Sequence, residues 1–181
     1  MTEEQVILVD EQDNAVGLAG KNQAHLDGAL HRAFSIFIFN LKGQLLLQQR
    51  ALEKYHSGGL WANTCCGHPR PGESNEEAAH RRLQEEMGFD CALSYVTRFK
   101  YRAVVSPTMI EHEIDHVFIG RFDGVPRVNP DEASQYDWLE LGQIKQQMAF
   151  EPERFTPWFK KVMFEYPQLK PDEWAKQMTR L

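Results

Sequence analysis

The chain has 181 residues, of which 42% are hydrophobic and 25% are charged, an ordinary globular balance. That length suits one domain with a sizeable core, so we expect residues 1–181 to form a single domain. The net charge of −6 excludes broad binding to nucleic acid or to anionic membranes, although a few local cations can still hold a small anion.

Cysteine use and the N-terminal residues indicate a reducing compartment. The three cysteines are sparse, and the adjacent Cys65 and Cys66 do not easily form a normal disulfide. The chain starts without a basic signal-peptide region, and no apolar run approaches transmembrane length. We therefore expect a cytoplasmic monomer whose partner is a small molecule rather than a membrane or a nucleic acid.

Apolar patterns predict six strands, separated by turns that include residues 10–14 and 40–43. The strands cover residues 6–9, 33–39, 44–50, 95–105, 110–122 and 136–139. The two strands around the second turn are expected to pair as a hairpin. The polar, glycine-containing stretch 25–31 predicts irregular structure.

A capping box begins the main predicted helix. Ser74 is a suitable N-cap residue, and Glu77 stands at the N3 position. The helix should run to about Glu86 and end at Gly88, a C′ glycine. Within it, Arg82 and Glu86 are four residues apart and share one face.

The C-terminal tail is predicted to be helical. Apolar residues between 155 and 166 recur with a period of 3.6, and Pro157 suits a first helical turn. A short helix should follow Pro171. Strands that enclose helices, with little regular βαβ alternation, indicate an α+β fold or a mixed-sheet sandwich.

Five residues have the chemistry of a metal site, namely His25, His31, His68, Glu111 and Glu113. Glu111 and Glu113 are two apart on a predicted strand and therefore share one face. His68 leaves a Cys-Gly-His-Pro turn, and the other two histidines flank a stretch that can fold back. Three imidazoles and two carboxylates suit Mn²⁺, Fe²⁺, Co²⁺ or Zn²⁺ better than Mg²⁺ alone. Taken singly, such residues are more often surface or hydrogen-bonding groups, and that ordinary interpretation is kept for His56, His80, His112 and His116.

Cys66 has two interpretations. Cysteine is often a small buried hydrophobe, but a turn rich in glycine and proline exposes its side chains, so Cys66 is the better candidate for a reactive thiol. A structural zinc site with Cys65 and His68 is disfavoured, because adjacent thiolates give poor tetrahedral geometry and no second cysteine pair exists.

Four cations and two aromatic residues complete the candidates. The cations are Lys21, Arg50, Lys54 and Arg82. Such charges are usually solvated, whereas a diphosphate site needs them to converge. Tyr101 lies on a predicted strand and Trp158 on the tail helix, where core packing is the favoured interpretation for Trp158.

Residues 67–89 resemble the Nudix box, G-x5-E-x7-R-E-U-x-E-E-x-G-U, where U is a bulky apolar residue. Every defining position matches except one, because Arg82 stands where the motif has a glutamate. In Nudix hydrolases that glutamate helps to hold the divalent ions that activate water, and a cation there repels Mg²⁺. The resemblance implies the Nudix α/β/α sandwich, a mixed β-sheet flanked by helices.

The chain further resembles the type I isopentenyl-diphosphate isomerases, Nudix-fold enzymes of isoprenoid synthesis. The carrying segments are Trp-Ala-Asn-Thr-Cys-Cys-Gly-His-Pro at 61–69, residues 72–74, residues 81–82, Phe-Lys-Tyr-Arg-Ala at 99–103, Glu-His-Glu at 111–113 and Phe-Thr-Pro-Trp at 155–158. The block at 25–34 also fits, although one residue more is expected between His25 and His31.

This resemblance implies a role for each candidate. Cys66 and Glu113 match the catalytic pair, Tyr101 a partner of the catalytic glutamate, and Trp158 a wall of the hydrocarbon pocket. The protein-bound ion, Mn²⁺, Zn²⁺ or a similar metal, matches the ligands His25, His31, His68, Glu111 and Glu113. A Mg²⁺ that enters with the substrate diphosphate matches Glu86 and the main-chain carbonyl of Cys66. Contacts to the diphosphate match Lys21, Arg50, Lys54 and Arg82.

The implied reaction interconverts isopentenyl and dimethylallyl diphosphate through a carbocation. The sequence does not decide which of Cys66 and Glu113 donates the first proton. The main alternative is a Nudix pyrophosphohydrolase of a nucleoside diphosphate derivative, which requires the carboxylate that Arg82 replaces. A third is a degenerate binding module that senses a diphosphate, and it leaves Cys66 and the His/Glu set without a role.

Overall fold

A computed structural model describes residues 3–180, in which nine strands form one mixed sheet with five α-helices around it. The strands are β1 Gln5–Val9, β2 Ala15–Gly20, β3 His31–Phe39, β4 Leu45–Arg50, β5 Trp61–Ala62, β6 Cys65–Gly67, β7 Leu93–Val104, β8 Ile110–Arg121 and β9 Ala133–Leu139. The helices are α1 Lys21–Asp27, α2 Asn75–Met87, α3 Leu141–Phe150, α4 Pro157–Lys160 and α5 Pro171–Thr179. Across residues 3–180, no helix has the length and apolarity needed to cross a membrane.

Strand β3 is the centre of the sheet. It pairs in parallel with β8, from His31 opposite Glu113 to Phe39 opposite Arg121. Its other edge is shared by β1, β6 and β4, which pair with it in turn along its length. This strand is apolar along most of its length because both of its faces are buried.

The two faces of β3 pack against different helices. Phe34, Ile36 and Ile38 lie in a core with α2, whereas Phe37 and Phe39 lie in a second core with the C-terminal helices. Helices therefore cover both faces of a mixed sheet, which confirms the predicted α/β/α sandwich.

Helix α2 follows its prediction closely. The Ser74 hydroxyl accepts a hydrogen bond from the Glu77 amide at 3.2 Å, and the Glu77 carboxylate accepts one from the Ser74 amide at 2.9 Å. The helix ends at Met87, and Gly88 takes the left-handed conformation with φ 72°. Capping chemistry is local in sequence, so both ends of this helix could be predicted.

The prediction of irregular structure over residues 25–31 was wrong. His25 lies in α1, and His31 is the first residue of β3. Gly28 has φ 63° and caps α1, with its amide donating to the carbonyl of Ala24. The glycine that suggested an irregular stretch is therefore the signal that ends a helix.

Three further expectations need correction. Cys66 does not sit in a turn but on β6, opposite Ser35. The expected hairpin of β3 and β4 forms at its turn, where Phe39 pairs with Leu45, but it extends no further, because β4 pairs with β5 and β9. The tail helix is α-helical only as α4 and continues as a π-helical turn, Lys161–Glu165. Strand β2 and helix α3 were not predicted.

Gly67 allows β6 to approach α2. A Cβ atom at this position would lie 2.8 Å from Cζ of Phe34 and 3.2 Å from Cγ of Arg82. Both neighbours are confined, Phe34 by the core and Arg82 by its ion pairs. A side chain at Gly67 would therefore displace the strand that carries Cys66.

We predict that Gly67→Ala destabilises the fold by about 1–3 kcal/mol, the usual effect of overpacking. Gly142→Ala is the matched control, because a Cβ there meets nothing within 4 Å and lies in the first turn of α3. It should be neutral or stabilising by up to about 1 kcal/mol. Urea unfolding measures both, and equal effects of the two substitutions would contradict the packing argument.

Candidate active site

Most of the predicted site residues line one pocket. It opens on the face of β3, β6 and β8 that lies toward α4. Eleven of the thirteen predicted residues line it, namely Lys21, Arg50, Lys54, Cys66, His68, Arg82, Glu86, Tyr101, Glu111, Glu113 and Trp158. The remaining two, His25 and His31, are fully buried beside Glu113.

The histidines converge through α1, β3 and the end of β6. One nitrogen atom of each of His25, His31 and His68 and one carboxylate oxygen of Glu113 all lie within 4.8 Å of one another. The Nδ1 atoms of His25 and His31 donate to main-chain carbonyls at 2.7 and 2.8 Å. Since a carbonyl only accepts, each Nδ1 carries the hydrogen, and each Nε2 presents a lone pair to the interior.

The two glutamates face these imidazoles from β8. Oε1 of Glu113 lies 3.0 Å from Nε2 of His68 and 3.2 Å from Nε2 of His31. The Tyr101 hydroxyl contacts Glu111 at 2.5 Å and Glu113 at 2.8 Å. Because a hydroxyl has one hydrogen, it cannot donate to both carboxylates at once.

The electrostatics of the cluster favour a bound cation. Burial would raise the pKa of Glu113, but the facing imidazoles of His31 and His68 bring it well below its ordinary value. Burial lowers the pKa of His25, and it lowers that of His68 to about 3, so both imidazoles are neutral metal-binding bases. Buried carboxylates need positive charge nearby.

Two nitrogen atoms without hydrogen-bond partners indicate where a cation would bind. Within residues 3–180, the buried Nε2 atoms of His25 and His31 have no hydrogen-bond partner. Leaving a buried polar atom unpaired costs about 1–3 kcal/mol. A divalent metal ion would use both lone pairs and neutralise the carboxylates, so the residues fit a divalent-metal site.

His56 belongs to this cluster, although its sequence position gave no indication of it. Its Nε2 lies 3.2 Å from Oε1 of Glu111, and it forms a second potential metal group with His25 and Glu111. His56 is a hydrogen-bonding histidine, as expected, with Nδ1 3.1 Å from the hydroxyl of Ser57, but it is not a surface residue, because it is buried within the site. It stands on the irregular loop after β4, where no periodicity predicts the direction of a side chain.

Cys66 lines the pocket as a protonated thiol. Its Sγ donates to Oδ1 of Asn63 at 3.3 Å and lies 3.4 Å from the hydroxyl of Ser35. The Asn63 amide nitrogen donates to two main-chain carbonyls, which fixes Oδ1 toward the thiol. Burial raises the pKa of Cys66, in agreement with this hydrogen bond. Cys65 instead packs in the core beside α2.

The four predicted cations converge at the mouth of the pocket. Each contacts a carboxylate or an aromatic ring there. Arg82 pairs with Glu86, with Glu85 at 2.6 Å and with Glu132 at 3.2 Å. Lys54 pairs with Glu132 at 2.6 Å and Lys21 with Glu4 at 3.1 Å. The Arg50 guanidinium lies 5.2 Å from the ring centre of Trp158, which is buried and still lines the pocket.

Comparison with known proteins identifies the domain family and the fold. The model of the NUDIX domain family matches residues 29–159. The structure of DR0079 from Deinococcus radiodurans superposes with a TM-score of 0.75 at 22% identity, over 90% of this chain and 98% of that one. A MutT protein from Methanosarcina mazei Go1 gives a TM-score of 0.61 at 21% identity, over 82% and 94% of the two chains. The protein has the Nudix fold.

Proteins with similar sequences identify the family within the Nudix superfamily. Isopentenyl-diphosphate Delta-isomerase 2 of Photorhabdus laumondii is 53% identical over 96% of this chain and 98% of its own. The isopentenyl-diphosphate Delta-isomerase of Serratia proteamaculans is 51% identical over 96% and 97%. The chain belongs to the type I isopentenyl-diphosphate isomerase family of the Nudix superfamily.

We predict that divalent ions stabilise this protein through the His/Glu cluster. A ligand that binds only the folded state adds about 2.7 kcal/mol at a concentration one hundred times its Kd. Thermal unfolding with Mn²⁺ or Zn²⁺, against the same protein in a chelator, measures the shift. His68→Ala and Glu111→Gln should each reduce both the shift and the bound metal.

His80→Ala is the matched control, since His80 lies on α2 and pairs with Asp90 at 2.6 Å, away from the pocket. This variant should keep the wild-type shift. Full metal occupancy in both His68→Ala and Glu111→Gln would remove those residues from the site.

Proposed function

We propose that this protein interconverts isopentenyl diphosphate and dimethylallyl diphosphate by moving a proton along an alkene. The observation that carries the proposal is that the Cys66 thiol and the Glu113 carboxylate line one pocket together with four cations. The relatives at about 50% identity are named isopentenyl-diphosphate Delta-isomerases, which supports isopentenyl diphosphate as the substrate and isomerisation as the reaction. The absence of the hydrolytic glutamate at Arg82 supports an isomerase over a hydrolase.

The proton balance of the reaction needs one acid and one base. A proton adds to the terminal carbon of the isopentenyl alkene and leaves a tertiary carbocation, and a second proton leaves the carbon two bonds away. No proton is gained or lost overall. Because the interconversion is reversible, the group that donates in one direction accepts in the other. Cys66 and Glu113 fit these paired roles.

Surrounding side chains position the pair and protect the cation. Asn63 accepts the thiol hydrogen of Cys66 at 3.3 Å, and the Tyr101 hydroxyl lies 2.8 Å from the carboxylate of Glu113. The aromatic ring of Trp158 forms a wall of the pocket, and cation–π attraction is worth roughly 0.5–2 kcal/mol at such sites. Burial excludes the water that would trap a carbocation.

The diphosphate is assigned to the cationic mouth. Lys21, Arg50, Lys54 and Arg82 line it, and Arg82 has the planar geometry that binds phosphate oxygens in pairs. Binding would exchange the present carboxylate partners of Lys21, Lys54 and Arg82 for phosphate oxygens.

Two divalent ions belong to the proposal. The ion of the His/Glu cluster, Mn²⁺, Zn²⁺ or a similar metal, would neutralise the carboxylates and fix Glu113 in place. A Mg²⁺ entering with the diphosphate would draw on Glu86 and the main-chain carbonyl of Cys66. A cytoplasmic location, a monomeric state and a single domain over residues 1–181 stay predictions.

The paired cysteines supply the sharpest test. Cys66→Ala should abolish isomerisation, because one proton-transfer group is lost. Cys65→Ala should keep most activity, since the side chain of Cys65 lies on the opposite face of β6, in the core with α2. Turnover of isopentenyl diphosphate, followed by NMR, measures both variants.

A reactive analogue checks the same assignment independently. An epoxide of isopentenyl diphosphate should label Cys66 or Glu113, and peptide mass mapping locates the label. Near wild-type turnover in Cys66→Ala, or a label on Cys65, would falsify the placement of the catalytic pair.

Arg82→Glu separates the isomerase from the hydrolase alternative. The substitution restores the carboxylate of the Nudix box but places it beside Glu85, Glu86 and Glu132. We expect weaker diphosphate binding, seen as a raised KM, and no hydrolysis of nucleoside diphosphate derivatives. Appreciable phosphate release by this single variant would favour the hydrolase.

A further inference from the structure

His56 is fixed with one ring nitrogen aimed into the metal cluster. Its side chain is only 1% exposed, and Nδ1 lies 3.1 Å from the hydroxyl of Ser57. The ring is enclosed edge-on by Tyr55 and Trp158, with ring centres 4.3 and 5.9 Å away. These contacts leave Nε2 directed at Glu111, at 3.2 Å from Oε1.

The approach of His56 to Glu111 is not a hydrogen bond. Among residues 3–180 the buried Nε2 of His56 has no aligned hydrogen-bond partner, and the same holds for Nε2 of His31. His31 nevertheless lies 3.2 Å from Oε1 of Glu113, the same separation that His56 keeps from Glu111. Two donors at right angles around an ion with bonds of about 2.1 Å lie about 3 Å apart. Both pairs therefore have the spacing of neighbouring metal ligands.

The two potential metal groups share one ligand. Both contain His25, whose Nδ1 donates to the carbonyl of Lys21. Only Nε2 of His25 remains, and its single lone pair binds one ion at a time. We propose that His56 is a further ligand of that ion, which then has four imidazole and two carboxylate donors. This inference rests on the metal site of the proposed function.

Six side-chain donors would saturate an octahedral ion. No position would remain for water or for the substrate, so a bound ion would serve the reaction by holding Glu113 in place rather than by binding the diphosphate. Four nitrogen donors also favour Co²⁺ and Zn²⁺ over Mg²⁺.

Spectroscopy of the metal-loaded full chain tests the proposal. X-ray absorption of the Zn²⁺ form should count four imidazoles in the wild type and three in His56→Ala. Water-proton relaxation of the Mn²⁺ form should show no inner-sphere water in the wild type and one in His56→Ala. Metal affinity should fall by about tenfold or more in the variant, because even outer-shell partners change it by that amount. His80→Ala should match the wild type in all three measurements.

His56→Asn guards against misfolding, since it keeps a polar side chain at that place, and it should lose the same imidazole. If a variant does not fold, the number of imidazole ligands measured in the wild-type protein still tests whether His56 binds the ion. Three imidazoles in the wild type, or an unchanged count and hydration in His56→Ala, would overturn the proposal. That outcome would not affect the proposed isomerase function, because isomerisation needs only an ion held by the other ligands. Four imidazoles without isomerisation would overturn the function instead.

Discussion

The parallel pairing of β3 with β8 decides which side chains can meet in this protein. Since successive residues of a strand point to opposite faces, the register that sets His31 opposite Glu113 places the imidazoles and carboxylates on one side. A slip of one residue would send the same side chains into the core beside α2. Strand β6 extends the arrangement, because Cys66 lies opposite Ser35 on the same face of β3. The thiol and the carboxylate thus depend on one central strand for their placement.

Buried negative charge is the second constraint. Glu111, Glu113 and Asp115 share one face of β8 and are almost fully buried. Burial and the neighbouring Glu113 raise the pKa of Asp115 well above its usual value, and Ser35 donates to that carboxyl at 2.7 Å. The two glutamates are left to be balanced by positive charge, which explains why inward-facing imidazole nitrogens surround them. A divalent ion at this cluster would reduce the cost of burying the two carboxylates.

Local chemistry could be predicted from the sequence, and distant pairing could not. Helix α2 follows from Ser74, Glu77 and Gly88, which lie within fifteen residues of one another and act through nearby backbone groups. The β3–β8 pairing joins segments about eighty residues apart, and no periodicity identifies a parallel partner. The ligand set was implied by family resemblance rather than by spacing. Neither sequence patterns nor family resemblance identified His56, because it lies on an irregular loop that no periodicity describes.

Solvent exchange tests most directly whether this Nudix fold transfers protons instead of hydrolysing a diphosphate. The metal-loaded protein, incubated with isopentenyl diphosphate in D₂O, should produce dimethylallyl diphosphate with deuterium in a methyl group, followed by NMR and mass spectrometry. No phosphate should be released from this substrate or from nucleoside diphosphate derivatives offered beside it. Phosphate release without deuterium incorporation would contradict proton transfer. It would mean that Arg82 is a tolerated substitution in a hydrolase.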